Sequence, residues 1–101
     1  MIAIRWTEAA LIDFFAAVAW YDERSTPTAQ RLARLVKAEE AKIAQNPQRF
    51  PFSAQNYRRA GIPGFPYQIH YAEALDGVVI AAFWHEKRDR RKLLARLRST
   101  L

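Results

Sequence analysis

The sequence predicts an α+β domain: an N-terminal strand, an antiparallel helix hairpin packed on a small, mainly antiparallel sheet, and a short C-terminal helix. Three observations carry that prediction. Apolar residues recur at helical spacing in two stretches before Asn46-Pro47. Phe65 to Tyr71 then alternates, turns at Asp76-Gly77, and returns as the apolar run Val78 to Trp84. The chain closes on a basic segment with leucines at helical spacing.

Taken in order, Ile2, Ile4 and Trp6 alternate with Ala3 and Arg5, which predicts a short strand with one apolar face. Thr7 is placed to cap a helix starting at Glu8, whose carboxylate favours the positive helix end. Leu11, Phe14, Phe15 and Val18 form its predicted buried stripe, and it should end near Asp22-Glu23. Thr26-Pro27 reads as N-cap and first helical position of a second helix. Leu32, Leu35, Val36 and Ile43 continue it, with Arg31, Arg34, Lys37, Lys42, Glu39 and Glu40 on its other faces. Asn46-Pro47 stops it, and the short break makes the two helices an antiparallel pair.

Residues Gln48 to Gly64 are the least regular stretch, with Pro51, Gly61, Pro63 and Gly64 excluding long elements. Tyr57 to Ala60 can form a short strand. In the next strand Phe65, Tyr67, Ile69 and Tyr71 share one face, Gln68 and His70 the other. Val78 to Trp84 is apolar on both faces, the pattern of a central strand covered on both sides. Arg90 to Leu101 closes the chain as a helix with Leu93, Leu94, Leu97 and Leu101 on one side. The helix pair should stack on one sheet face. The other face is expected to be shallow, partly polar and rimmed by the basic end of the chain.

With 101 residues, half of them apolar and 13% aromatic, the chain suits a single domain over 1–101 with a substantial core. It has no cysteine, which excludes a disulfide framework and a thiolate metal site and fits a cytoplasmic location. Met1 to Arg5 lacks the features of a signal peptide, and no run reaches the ~20 apolar residues of a membrane span. The formal charge is +6. Much of the excess lies in Lys87, Arg88, Arg90, Arg91, Lys92, Arg96 and Arg98, opposed there only by Asp89. Such a cluster attracts polyanions or acidic proteins, or simply keeps a small domain soluble.

His85 is the first candidate for chemistry, because a histidine at an exposed strand end can exchange protons near neutral pH; it can equally just terminate the strand. His70, mid-strand on the partly solvated face, is a weaker candidate. Arg58 and Arg59 could bind a phosphate bidentately or stabilise a phosphorane, or serve as edge-strand charges that resist aggregation. Arg88 adjoins His85. Tyr67, Tyr71 and the three tryptophans read as core residues. There is no Gly-rich phosphate loop, nucleophile elbow or His-x-x-x-His pair, and no metal or cofactor is expected.

Across nearly its whole length the chain resembles the RelE/ParE superfamily of toxins from bacterial type II toxin–antitoxin modules. The resemblance rests on the opening strand with Trp6-Thr7-Glu8-Ala9-Ala10, the helix pair ending in Asn46-Pro47, and the Arg58/Arg59 strand. It continues through Phe65-Pro66-Tyr67-Gln68-Ile69-His70-Tyr71 and Val78 to His85 with Lys87-Arg88-Asp89 after it. It implies a RelE/ParE-like fold hosting one of two activities. RelE-like members are metal-independent mRNA interferases acting at the ribosome; in that case His85, Arg58, Arg59 and Arg88 are the implied catalytic set. ParE-like members poison DNA gyrase without nuclease catalysis. Many ribonuclease members carry an arginine where this chain has Gln68, and the loop from Gln48 to Gln55 lacks a lysine pair. The Phe-Pro-Tyr and His-x-x-Arg-Asp spellings look closer to the ParE-like, plasmid-stabilisation subgroup. The resemblance then implies a growth-inhibiting toxin neutralised by a cognate antitoxin in a hetero-oligomer. Arg58, Arg59, His85, Lys87, Arg88 and Arg91 become the residues that bind target or antitoxin. A basic nucleic-acid-binding domain without toxicity is the third reading.

Overall fold

The computed structural model describes residues 2–100. Strand β1 (Ile4–Trp6) leads into helices α1 (Glu8–Asp22) and α2 (Thr26–Gln45). A 3₁₀ turn (Pro47–Arg49) follows, then strands β2 (Phe52–Ala54), β3 (Tyr57–Gly61), β4 (Tyr67–Ala74) and β5 (Gly77–His85), and helix α3 (Arg90–Thr100). The sheet order is β1-β5-β4-β3-β2, parallel between β1 and β5 and antiparallel elsewhere. None of these helices is long and apolar enough to cross a membrane. The predicted Leu101 of the last helix lies outside the described residues.

Thr7 caps α1 as expected, its hydroxyl accepting the Ala10 N–H at 3.1 Å. The second cap is one residue earlier than predicted: Ser25 accepts the Thr28 N–H at 3.3 Å, so Thr26 and Pro27 both lie within α2. Either residue type can cap; Ser25 wins because Pro27 is tolerated anywhere in the first turn, where its N–H is not needed. The strand β2 was not foreseen. It is a three-residue edge strand with an irregular register against β3, too short to show periodicity.

The buried stripe of α1 also differs from the prediction. Ala10 and Ala17 are fully buried and Phe14, Val18 and Tyr21 pack on the core, whereas Phe15 is 61% exposed. Because α1 is apolar nearly all round, periodicity could not tell its inner face from its outer one. Trp20, read as a core anchor, is likewise half exposed. Glu39, read as solvated, is buried in α2, where Lys42 holds it at 3.0 Å.

Strand β5 is an interior strand between β1 and β4 and is buried from Val78 to Trp84, as its composition requires. Its pairing with β4 slips once: His70 faces Ala82 but Tyr71 faces Ile80, leaving Ala81 as the extra residue of a bulge. The bulge reverses the side-chain alternation. Val78 and Ile80 face the helix hairpin, and after the slip Phe83 does so too, while Ala81, Ala82 and Trp84 face the other way. His85, two residues beyond Phe83, therefore comes out on the hairpin side.

That other face is not the open, partly polar surface expected from the sequence. Helix α3 covers it, with Leu93 and Leu97 packed on Tyr57, Ala72, Ala82 and Trp84. The Tyr57 hydroxyl donates to the Leu97 carbonyl at 2.8 Å. The leucines at helical spacing make α3 a second core layer, and only its outer charges form a rim. At the β4–β5 turn, Gly77 adopts φ +148, and a Cβ there would overlap the Ala3 carbonyl oxygen that accepts the Val78 N–H. The parallel pairing of β1 thus depends on that glycine.

Candidate functional site

A cleft of about 680 Å³ opens between α1 and the end of β5. Its floor is aromatic: Tyr67 stacks on Phe83 at 4.9 Å, and Tyr21 meets Tyr67 edge-on at 6.4 Å. Burial raises the Tyr67 phenol pKa, and the neighbouring Tyr21 adds to the shift. Ile12 and Trp20 of α1 line the opposite wall, both at least half exposed. His85 and Arg88 stand at the rim, delivered there by the bulge.

The electrostatic centre of the cleft is Asp13, whose side chain is 7% exposed. One carboxylate oxygen accepts the Phe83 backbone N–H at 3.1 Å and an Arg96 N–H at 2.8 Å. The other accepts from Arg96 at 3.1 Å and lies 3.7 Å from Arg88. Arg96 also donates to the Ala81 carbonyl at 3.2 Å, inside the bulge. Asp13 therefore ties α1, β5 and α3 together with charge-assisted bonds. Arg88 stacks over the Trp84 ring at 3.8 Å and remains half exposed to solvent. His85 packs edge-on against Tyr67 at 5.2 Å, and its Nδ1 accepts the Lys87 N–H at 3.0 Å. That bond leaves the neutral ring protonated on Nε2.

Sequence reasoning missed Asp13 and Arg96. One signal existed: Asp13 is the only charge in the run Ala9 to Tyr21. Nothing in the sequence could have named Arg96, 83 residues away, as its partner.

Of the residues singled out from the sequence, His85 and Arg88 come together at the rim, and Arg58 and Arg59 do not join them. Arg59 lies opposite His70, which lies opposite Ala82, so Arg59 is two strands and three residues removed from His85. Arg58 is engaged in structure, donating to the Phe50 carbonyl at 2.8 Å and the Gln48 carbonyl at 3.2 Å while stacking on Phe52 at 3.9 Å. Arg59 is exposed at that far edge and makes one long bond, 3.4 Å, to the Phe52 carbonyl. Lys87 and Arg91 are exposed and do not line the cleft, Arg91 lying 3.5 Å from Asp89. His70 is buried, not solvated. Its Nδ1 bonds the Ser53 hydroxyl at 3.0 Å, and its Nε2 has no partner. Burial, then the Arg59 and Arg90 charges, push its pKa down to about 4. Among the described residues no His, Asp and Glu side chains gather in a set that could hold a metal ion.

A family model described as the ParE toxin of the type II toxin-antitoxin system parDE matches residues 4–90. That span includes the cleft floor, Asp13, His85 and Arg88 and stops where α3 begins. Among solved structures, a chain of the chromosomal ParDE TA system from P. aeruginosa superposes with a TM-score of 0.69 at 18% identity, covering 84% of this chain and 96% of that one. At that identity the likeness shows the fold. No curated protein matches the chain.

Proposed function

We propose, from the premise that this chain belongs to the ParE toxin family of type II toxin–antitoxin systems, that it arrests growth by binding DNA gyrase and is neutralised by a cognate antitoxin. The observation that carries the choice of a binding activity over a nuclease is the placement of the arginines. Arg58 and Arg59 sit two strands from His85 and Arg88, and Arg58 is committed to backbone carbonyls. Metal-independent RNA cleavage needs proton-transfer and phosphate-stabilising groups around one phosphorus. That arrangement supports recognition in place of catalysis.

The antitoxin segment this site suits is amphipathic and acidic. Its apolar side chains would enter the aromatic cleft between Trp20 and Phe83, and its carboxylates would meet Arg88 at the rim and the exposed Lys87 and Arg91 near it in the chain. His85 would donate from Nε2. Arg58 and Arg59 lie outside that footprint, at the far sheet edge, and are assigned to contact with the target. Arg88→Glu should weaken antitoxin binding about tenfold or more while leaving the fold intact; unchanged affinity in a folded variant removes Arg88 from the interface.

Induced expression in a bacterial host tests the function itself, following DNA and RNA synthesis separately. Growth arrest with DNA damage and intact mRNA is the expected result. Rapid translation arrest with mRNA cut within codons would overturn it in favour of an mRNA interferase acting at the ribosome.

A further inference from the structure

The outer surface of α1 carries five exposed residues on a single i+4 ridge: Glu8, Ile12, Ala16, Trp20 and, just past the helix end, Arg24. The ridge reads as acid, apolar, small, apolar, base. Ile12 is 60% and Trp20 50% exposed, and Phe15 beside them is 61% exposed. The opposite surface of α1 is already buried against the core through Ala10, Phe14, Ala17 and Tyr21. A helix that is apolar all round belongs inside a larger packing, so the outer ridge needs an occupant. Arg24 is pre-positioned at the ridge's end, its guanidinium 3.6 Å above the Trp20 ring and hydrogen-bonded to the Trp20 carbonyl at 2.6 Å.

We propose that the occupant is a second copy of this chain, docked through an antiparallel α1–α1 pair centred on Ala16. The order of side chains is self-complementary in that one arrangement. A two-fold axis at Ala16 puts Ile12 opposite Trp20 and Glu8 opposite Arg24, each contact occurring twice. A parallel pair would set Glu8 against Glu8 and Arg24 against Arg24. An antiparallel register shifted to a centre between Phe15 and Ala16 would set Glu8 against Glu23. The small side chains of Ala16 and Ala19 allow close approach of the axes at the crossing point, and antiparallel helices also oppose their dipoles favourably. A single helix pair falls below the ~1,200 Å² of a standard interface, so the dimer belongs to the weak, transient class.

This inference is independent of the toxin reading. It does add a constraint, because Ile12, Ala16 and Trp20 also line the cleft. A second copy and an antitoxin segment there would exclude each other.

The test is sedimentation velocity of the purified chain over a concentration series, with circular dichroism to confirm that each variant is folded. The wild type should shift from monomer to dimer as concentration rises. Glu8→Arg alone and Arg24→Glu alone should each weaken association roughly tenfold or more, because both 8–24 contacts become like-charged. An equimolar mixture of those two variants should associate again, since each contact then joins opposite charges. Ala16→Glu and Ile12→Lys should each abolish the dimer. Three results would overturn the proposal: a wild type that stays monomeric throughout, which leaves the ridge to a different partner; association unaffected by Ala16→Glu, which places the contact elsewhere; or a mixture that fails to recover.

Discussion

Acidification should destabilise this protein from about pH 6.5 downward, and His70 is the reason. The imidazole is 1% exposed, bonded through Nδ1 to Ser53, with two guanidiniums, Arg59 and Arg90, acting on it. Its pKa in the folded state is about 4, against 6.5 for an unperturbed side chain. Between those values the unfolded chain binds a proton that the native state refuses, so stability rises with pH across that window. The contribution is fully present above about pH 6.5 and is lost as pH falls toward the folded pKa. From about pH 7.5 to about pH 4.5 the linkage integral gives a loss of about 2–3 kcal/mol. The assay is urea unfolding at steps of pH, comparing the wild type with His70→Gln. The variant will differ in absolute stability because its packing changes, so the decisive quantity is the slope. The other ionisable groups are common to both proteins and cancel. The variant should lose most of the slope between about pH 6.5 and 4.5; equal slopes in the two proteins would refute a neutral, buried His70.

Two further perturbations follow from packing. Asp13→Ala leaves Arg96 and the Phe83 N–H without their shared acceptor and should cost about 2–4 kcal/mol in urea unfolding, a loss of that size tying the cleft to the stability of α3. Gly77→Ala forces a side chain into φ +148 and against the Ala3 carbonyl, which should cost at least about 2 kcal/mol and deprotect the β1 amides in hydrogen exchange before those of β3 and β4.

Local rules made most of the elements legible. The Thr7 cap, the Pro27 helix start, the Asn46-Pro47 stop, the alternation in β4 and the double-sided apolar run of β5 each reflect chemistry within a few residues. They were enough to predict the α+β architecture and the hairpin pair, and the family resemblance to ParE toxins was readable in the same stretches. Errors arose where the local signal was degenerate. Ser25 and Thr26 both suit a cap. α1 is apolar on both sides, so periodicity alone assigns Phe15 and Trp20 to the core, where the structure does not have them. β2 is shorter than the period that would reveal it. The leucines of α3 said that it would bury a face, but not which sheet face it would cover.

The cleft belongs to a different level. Its charge centre joins Asp13 to Arg96 across 83 residues, a pairing that no spacing rule encodes. Its rim depends on a single bulge at Ala81, which turns Phe83 and His85 toward α1 and leaves Trp84 facing α3. A one-residue slip reverses every later side chain of a strand whose pattern is apolar throughout, so composition carries no trace of it. Caps, turns and periodicity act through neighbours along the chain, so every helix, the strands other than β2, their order and the family could be read without coordinates. Which residues share the site depends on strand register and on charges brought together by folding, and shows only in three dimensions.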